Sequence, residues 1–303
     1  MIEEIAPNIY IGAGFSRVTL GAILTTTGWV CIDTPPYPSD AQAWRAHLAA
    51  ASRKPVRYLI NTDHHRDRII CNQFFDAPVI THQETAKRIF KMKNSVISYA
   101  ADELNMSDTE RLESTALKIV PPHFSFNESF SITDGRRNIQ LEGNRGPTGG
   151  SLHVLTPDEK VIFTGDTLIK EQHPFLDGGD VKVWLDLIEV LKSQDYKGWT
   201  FVSGRDGIIK PKDTQPLTDY LLTAYNRVEE LHGEDRPRSE VASLISEFIG
   251  AFPAPEGSRD ELYRRIKVGL ESIYDRINQD KPQSLQDNGL DDEDPEIDDD
   301  IDD

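Results

Sequence analysis

The stretch Asn61–Asn72 reads Asn-Thr-Asp-His-His-Arg-Asp-Arg-Ile-Ile-Cys-Asn. It follows Val56–Ile60, an apolar run that predicts a buried strand. The stretch therefore sits where a strand ends and a loop begins, the place where α/β folds collect their chemistry. Asp63, His64, His65 and Asp67 fall within five residues, and Arg68 follows directly. Any fold for this chain has to house that loop at a strand end.

At 303 residues the chain can hold one large or two small domains, and its 38% hydrophobic content is enough for a core. The formal net charge is −18, but Asp287–Asp303 holds eleven Asp/Glu and no Lys or Arg, which leaves −7 for the rest. Such a block repels itself and stays solvated, so residues 281–303 are expected to form a disordered acidic tail. An acidic body argues against nucleic acid as a partner. Cys31 and Cys71 lie in apolar surroundings without Cys-x-x-Cys spacing and read as reduced, buried thiols. Met1–Pro7 is acidic and lacks the apolar run of a secretory signal, and no stretch approaches a membrane span. The expectation is a cytoplasmic protein with no membrane partner.

In chain order, Asn8–Gly12, Val18–Thr25 and Trp29–Asp33 read as strands of a meander. Asp33 closes the third, where it can cap the backbone of Thr34 or Pro35. Ser39–Ser52 shows Trp44, Leu48 and Ala51 at helical spacing behind a Ser-Asp start. Gln83–Leu104 reads as a helix of mixed charge, and Ser107–Leu117 as a shorter one with Ser107 and Glu110 in capping-box positions. Together they predict a helical insertion over residues 83–117. Phe124, Phe126, Phe130 and Ile132 resume strand spacing, and Asn138–Glu142, His153–Thr156 and Val161–Phe163 are further strands. Asp180–Lys192 is a helix and Trp199–Val202 a strand. Gln215–Leu231, Ser239–Ala251 and Ser258–Asn278 predict three helices, a C-terminal extension over residues 216–280.

Several separated motifs agree in order. They are the Asp33 strand end, the Asn61–Asn72 loop, Gly146-Pro147-Thr148-Gly149-Gly150-Ser151-Leu152, Phe163-Thr164-Gly165-Asp166, Asp180-x-x-x-Trp184-Leu185, and Val202-Ser203-Gly204-Arg205-Asp206-Gly207. Together they resemble the metallo-β-lactamase superfamily of glyoxalase II-like, lactonase-like and lactamase-like hydrolases. The resemblance implies an α+β fold, a four-layer αββα sandwich over residues 1–215 with the C-terminal helices added. It also implies two zinc or iron ions that activate water, and for Asp33 it implies a second reading, as the residue that orients the Asn61–Asn72 loop.

The ligand places are only half kept. The family loop reads Asn-Thr-His-x-His-x-Asp-His, so Asp63 stands at the first histidine, His65 and Asp67 match, and Arg68 stands at the last histidine. Pro147 holds another histidine's place, Asp166 keeps the bridging carboxylate, and Arg205 replaces the final histidine. Zinc and iron need neutral imidazole or carboxylate donors at about 2.0–2.2 Å. An arginine has no lone pair to give. Asp63, Asp67 and Asp166 would lack partners without metals, and Arg68 and Arg205 can supply that charge through fork-like hydrogen bonds. Alternatively Arg68 points to solvent and the loop is simply decayed. His64 sits at the variable position and is expected to point away from the ligand side; His82, His123, His153 and His173 are poor candidates to restore a site.

Three readings follow for function. In the first, the dinuclear site is degenerate at Asp63, Arg68, Pro147 and Arg205, no cofactor is held, and a pocket remains for a small ligand or protein partner. In the second, one divalent metal (Mn, Fe, Mg or Zn) on Asp63, His65, Asp67 and Asp166 hydrolyses an ester, lactone or thioester, with Asp67 catalytic. In the third, the acidic tail makes the chain an interaction scaffold.

Overall fold

Four strands open the chain as an antiparallel meander: β1 (Ile2–Ala6), β2 (Ile9–Phe15), β3 (Val18–Leu24) and β4 (Trp29–Ile32). The helix α1 (Pro38–Ala51) crosses to β5 (Val56–Ile60), parallel to β4. Then come β6 (Val79–His82), α2 (Gln83–Lys91), α3 (Ser95–Glu103), α4 (Asp108–Ser114) and β7 (Phe124–Phe126). The first sheet runs in sequence order from β1 to β7. The second is built from β8 (Ser129–Asp134), β9 (Arg137–Asn144), β10 (Ser151–Thr156) and β11 (Val161–Gly165). After α5 (Val181–Leu191), β12 (Thr200–Ser203) and β13 (Gly207–Ile209) complete it in the order β13-β12-β11-β10-β9-β8. The chain continues through α6 (Gln215–Gly233), α7 (Ile245–Phe248) and α8 (Arg259–Asp280). This computed structural model describes residues 2–15, 18–93, 95–104, 106–135, 137–170, 172–253 and 259–280; the predicted acidic tail lies outside them.

The period of two along each strand divides the apolar residues between two faces. In β10, Leu152 and Val154 enter a core shared with Ile23, Ile32 and Ile60 of the first sheet, while Leu155 faces the other way. In β11, Val161 and Phe163 join the inter-sheet core, while Ile162 packs with Trp184 and Ile188 of α5 and Leu221 of α6. The opposite face of the first sheet, with Leu20, Cys31 and Leu59, is covered by Trp44 and Leu48 of α1 and Ile97 of α3. The layers are thus helix, sheet, sheet, helix, and the C-terminal helices share the core outside the second sheet. Cys31 and Cys71 are both free and buried. Among the described residues no helix is long and apolar enough to cross a membrane.

The structure differs from the sequence expectation in places. The acidic N-terminus forms β1: Ile2 and Ile5 pack inward, while Glu3 and Glu4 are exposed along an edge strand. The helix predicted over 83–104 breaks into α2 and α3, because Met92 takes an extended conformation. Phe124 to Ile132 changes sheet between β7 and β8, which alternation alone does not register. Residues 239–251 open in a 3-10 helix, Arg238–Leu244, which the three-residue spacing of Val241 and Leu244 favours, and are α-helical over Ile245–Phe248. In α1, Pro38 occupies the first turn and Tyr37 precedes it, so Ser39 is no cap, and Ala51 is exposed.

Candidate functional site: a buried arginine–carboxylate network

Parallel pairing gathers the site. β4, β5 and β6 run parallel in one sheet, and β11 and β12 run parallel in the other. Their C-terminal ends deliver Asp33, Asp63, Asp166 and Arg205 to one end of the sandwich. The loop after β5 is pinned from both sides. Asn61 and Asn72 exchange side-chain hydrogen bonds of 2.8 and 3.2 Å, and Asn61 Nδ2 and Thr34 Oγ1 donate to the Arg68 carbonyl. Asp33 has a positive φ of 57°, an uncommon conformation for a residue with a side chain. Its carboxylate accepts from the Thr62 backbone N at 2.8 Å and from Thr62 Oγ1 at 2.6 Å. Asp33 therefore orients the loop, and no bond from it to the Thr34 backbone is involved.

Arg68 points inward and is 0% exposed. Its Nη2 donates to Asp166 Oδ1 at 2.7 Å and its Nη1 to Thr62 Oγ1 at 2.9 Å. Nη1 also lies 3.1 Å from Asp63 Oδ2 and 3.7 Å from Asp33 Oδ2. Room for it comes from Gly204, where a Cβ would meet Arg68 Nη1 at 3.1 Å. Arg205, from the turn after β12, donates through Nε and Nη2 to the two oxygens of Asp166 at 3.0 and 3.2 Å. Its Nη1 donates to Asp67 Oδ2 at 2.6 Å. Ser203 Oγ accepts from the Arg205 and Asp206 backbone N–H groups, which fixes that turn. His65 Nδ1 lies 2.9 Å from Asp63 Oδ2 and 3.4 Å from Asp166 Oδ2.

The electrostatics close on themselves. Burial opposes ionisation of Asp63, but Arg68 and then His65 hold its carboxyl well below the usual range. Asp166 is lowered against burial by Arg205 and Arg68, and Asp67 falls to about 2 against burial, chiefly through Arg205. His65 is raised: burial disfavours its charge, but Asp63 and Asp166 outweigh that. Burial lifts Asp33 to about 7 despite Arg68. Three ionised carboxylates thus face two guanidinium groups, with His65 biased toward its charged form. Burial, then His65, pushes His64 down to about 3, so it stays neutral.

The other singled-out residues lie elsewhere or play other parts. Asp63, His65 and Asp166 bring donor atoms within 4.8 Å of one another, and Asp67 is outside that trio. His64 is outside it too, but it stacks on His65 at 5.5 Å and lines the same pocket. It therefore does not turn away. Pro147 is buried in the β9–β10 loop, packed on the Gly179 backbone. His82 caps α2, His123 Nδ1 accepts from the Val79 N–H, His153 meets Thr167, and His173 Nε2 lies 3.1 Å from the Phe252 carbonyl. Above the network opens a cavity of about 550 Å³, whose walls include Arg88, Lys93 and Phe175. Sequence reasoning assigned those three no role; the run of cations Arg88, Lys91 and Lys93 within the predicted helix was the available signal for the first two, and none marked Phe175.

A family model for the metallo-beta-lactamase superfamily matches residues 13–200. The chain belongs to the metallo-beta-lactamase superfamily. The αββα order described above is that family's fold. Among solved structures, the stereoselective inverting sec-alkylsulfatase Pisa1 from Pseudomonas sp. superposes with a TM-score of 0.65 at 15% identity, covering 91% of this chain and 50% of that one. A metallo-beta-lactamase family protein from Thermus thermophilus gives 0.62 at 16% identity, covering 91% and 95%. A metallo-beta-lactamase from Pontibacter korlensis gives 0.55 at 18%, covering 73% and 98%. The chain spans half the length of the alkylsulfatase it matches, and at these identities the likeness is one of fold.

The superfamily's metals can be tested against the side chains present. A dinuclear site needs neutral nitrogen and carboxylate oxygen donors around both ions. Here the Arg68 guanidinium lies between Asp63 and Asp166, at 3.1 and 2.7 Å. Arg205 occupies both oxygens of Asp166 and one of Asp67. With the side chains so arranged, the donor set does not fit two ions.

Proposed function

We propose that this chain is a metallo-beta-lactamase-fold protein in which two arginines take the place of two metals, leaving a pocket that binds a small ligand without metal-activated water. The observation that carries this is Arg68. Its guanidinium is fully buried and bridges the carboxylates of Asp63 and Asp166, where a bridging cation would be needed. An Arg fork satisfies planar carboxylates by charge-assisted hydrogen bonds, and it cannot be deprotonated or polarise a water as a metal does. The acidic tail as a scaffold element has no structural observation behind it.

A second reading is one divalent ion on Asp63, His65 and Asp166, favoured by the closeness of their donor atoms. It requires Arg68 to leave its place. Elemental analysis of protein purified without chelators separates the two. The pseudo-site reading expects far less than one transition metal per chain. Two ions per chain would overturn it. One ion per chain, lost in Asp63→Asn, would replace it with the second reading.

A further inference from the structure

The cavity above the network carries a charge pattern that the arginine lock does not use. On a chain of net charge −18, its wall brings together Arg66, Arg88, Lys91 and Lys93. Only Asp67 and Asp177 oppose them there. Asp67 is already taken by Arg205 at 2.6 Å, and Asp177 is a largely exposed side chain 3.9 Å from Arg88. Lys91 and Lys93 form no ion pair with any described residue. Cations in the last turn of a helix also complement its dipole, which would account for Arg88 and Lys91 alone. It does not account for Lys93, beyond the end of α2, or Arg66, from the loop after β5. The stretch Arg88–Lys93 and the loop after β5 thus bring their cations to one opening.

Beside the charged groups, His64, His65 and Ser95, the lining has an apolar part. Met92, Val96 and Phe175 face the same cavity, and the Phe175 ring is held by His65 at 4.6 Å and by the Arg265 guanidinium at 3.9 Å. A cavity of about 550 Å³ lies in the size range of small-molecule sites, which pair an apolar lining with a few charged groups. A concave site ringed by one sign of charge raises the local concentration of the opposite sign.

We infer that this pocket binds a small organic anion, with its charged group among Lys91, Lys93 and Arg88 and its apolar body on Met92, Val96 and Phe175. The inference rests on reading the cavity as a ligand pocket, as above. The test is titration calorimetry of the full chain at low salt with four probes of equal length: hexanoate, hexyl phosphate, hexanol and hexylammonium. The anions are expected to bind one per chain and more tightly than hexanol, and hexylammonium not at all. Lys91→Glu with Lys93→Glu, both at exposed positions, should weaken anion binding at least about tenfold. Inorganic phosphate should bind more weakly than hexyl phosphate. Equal binding of hexylammonium, absence of saturable anion binding, or an unchanged Kd in the double variant would overturn the inference. The same titrations after chelation keep it distinct from the metal question. Anion binding that is lost with the metal and indifferent to Lys91 and Lys93 places the anion on an ion and overturns this site. Metal found beside unchanged, lysine-dependent binding overturns only the pseudo-site reading.

Discussion

Arg68 and Arg205 share Asp166, so their removal has unequal consequences. Arg68→Ala strips the guanidinium beside Asp63 and one of the two guanidinium groups on Asp166, in the driest part of the network. Arg205→Ala removes the hydrogen-bonded partner of Asp67, leaving it Arg68 Nε at 4.0 Å, and leaves Asp166 its bond to Arg68. Leaving a buried charge without its partner costs about 3–5 kcal/mol, and Arg68→Ala should reach the upper part of that range with Arg205→Ala below it. Urea denaturation measures both. Arg205→Ala with Asp166→Ala should cost about 1–3 kcal/mol less than the sum of the single changes, because they act on one network. Additive costs would reject the arginine-for-metal account. Arg205→His should bind no metal by itself, since Arg68 still lies between Asp63 and Asp166; elemental analysis checks it. Each of these positions was legible from the motif in the sequence. That Arg68 turns inward was not, because a side chain's direction depends on what the other sheet presents to it.

Within one element, β10 carries a pH-sensitive group away from the network. His153 is 4% exposed, its Nε2 lies 2.9 Å from Thr167 Oγ1, and burial pushes it from 6.5 down to about 4. The folded state therefore holds it neutral while the unfolded chain protonates near 6.5. Its contribution is intact above that pH and is lost as pH falls from 6.5 toward 4, about 3 kcal/mol at most. Urea midpoints between pH 7 and pH 4.5 should fall less in His153→Gln than in the parent; parallel curves would mean that His153 takes up its proton equally in the folded and unfolded chain, and would reject the shift. The element scale also shows what pattern reading catches. The Ser107–Glu110 capping box forms at the start of α4, since it depends on residues three apart in sequence; that Asp180 caps α5 is seen only in the structure. The break between α2 and α3 was missed because no proline or glycine marks it. Met92 leaves the helix there, and that break helps shape the cavity.

For the whole molecule, the described chain ends with α8 packed through Leu262, Ile266 and Leu270 into the core outside the second sheet. The acidic block beyond it has charge and no apolar periodicity to add to that core. Deleting residues 282–303 should leave Tm nearly unchanged at moderate salt. A fall of about 4 °C or more, on the order of 1 kcal/mol, would show that the segment docks on the body. The sequence by itself determined the family and the layered fold, since alternating apolar residues assign faces locally and the spaced motifs keep their order. It also determined that the ligand places are mixed, because residue type decides who can give a lone pair. Only the tertiary structure decided how the mixture is resolved. Asp63 and Arg68 lie on one sheet's loop and Asp166 and Arg205 on the other's, and whether opposite charges from separate sheets meet depends on how strand ends are brought together. The cationic opening is partly of the same kind: Arg88, Lys91 and Lys93 are neighbours in sequence, but only the fold brings Arg66 and the Phe175 ring to them.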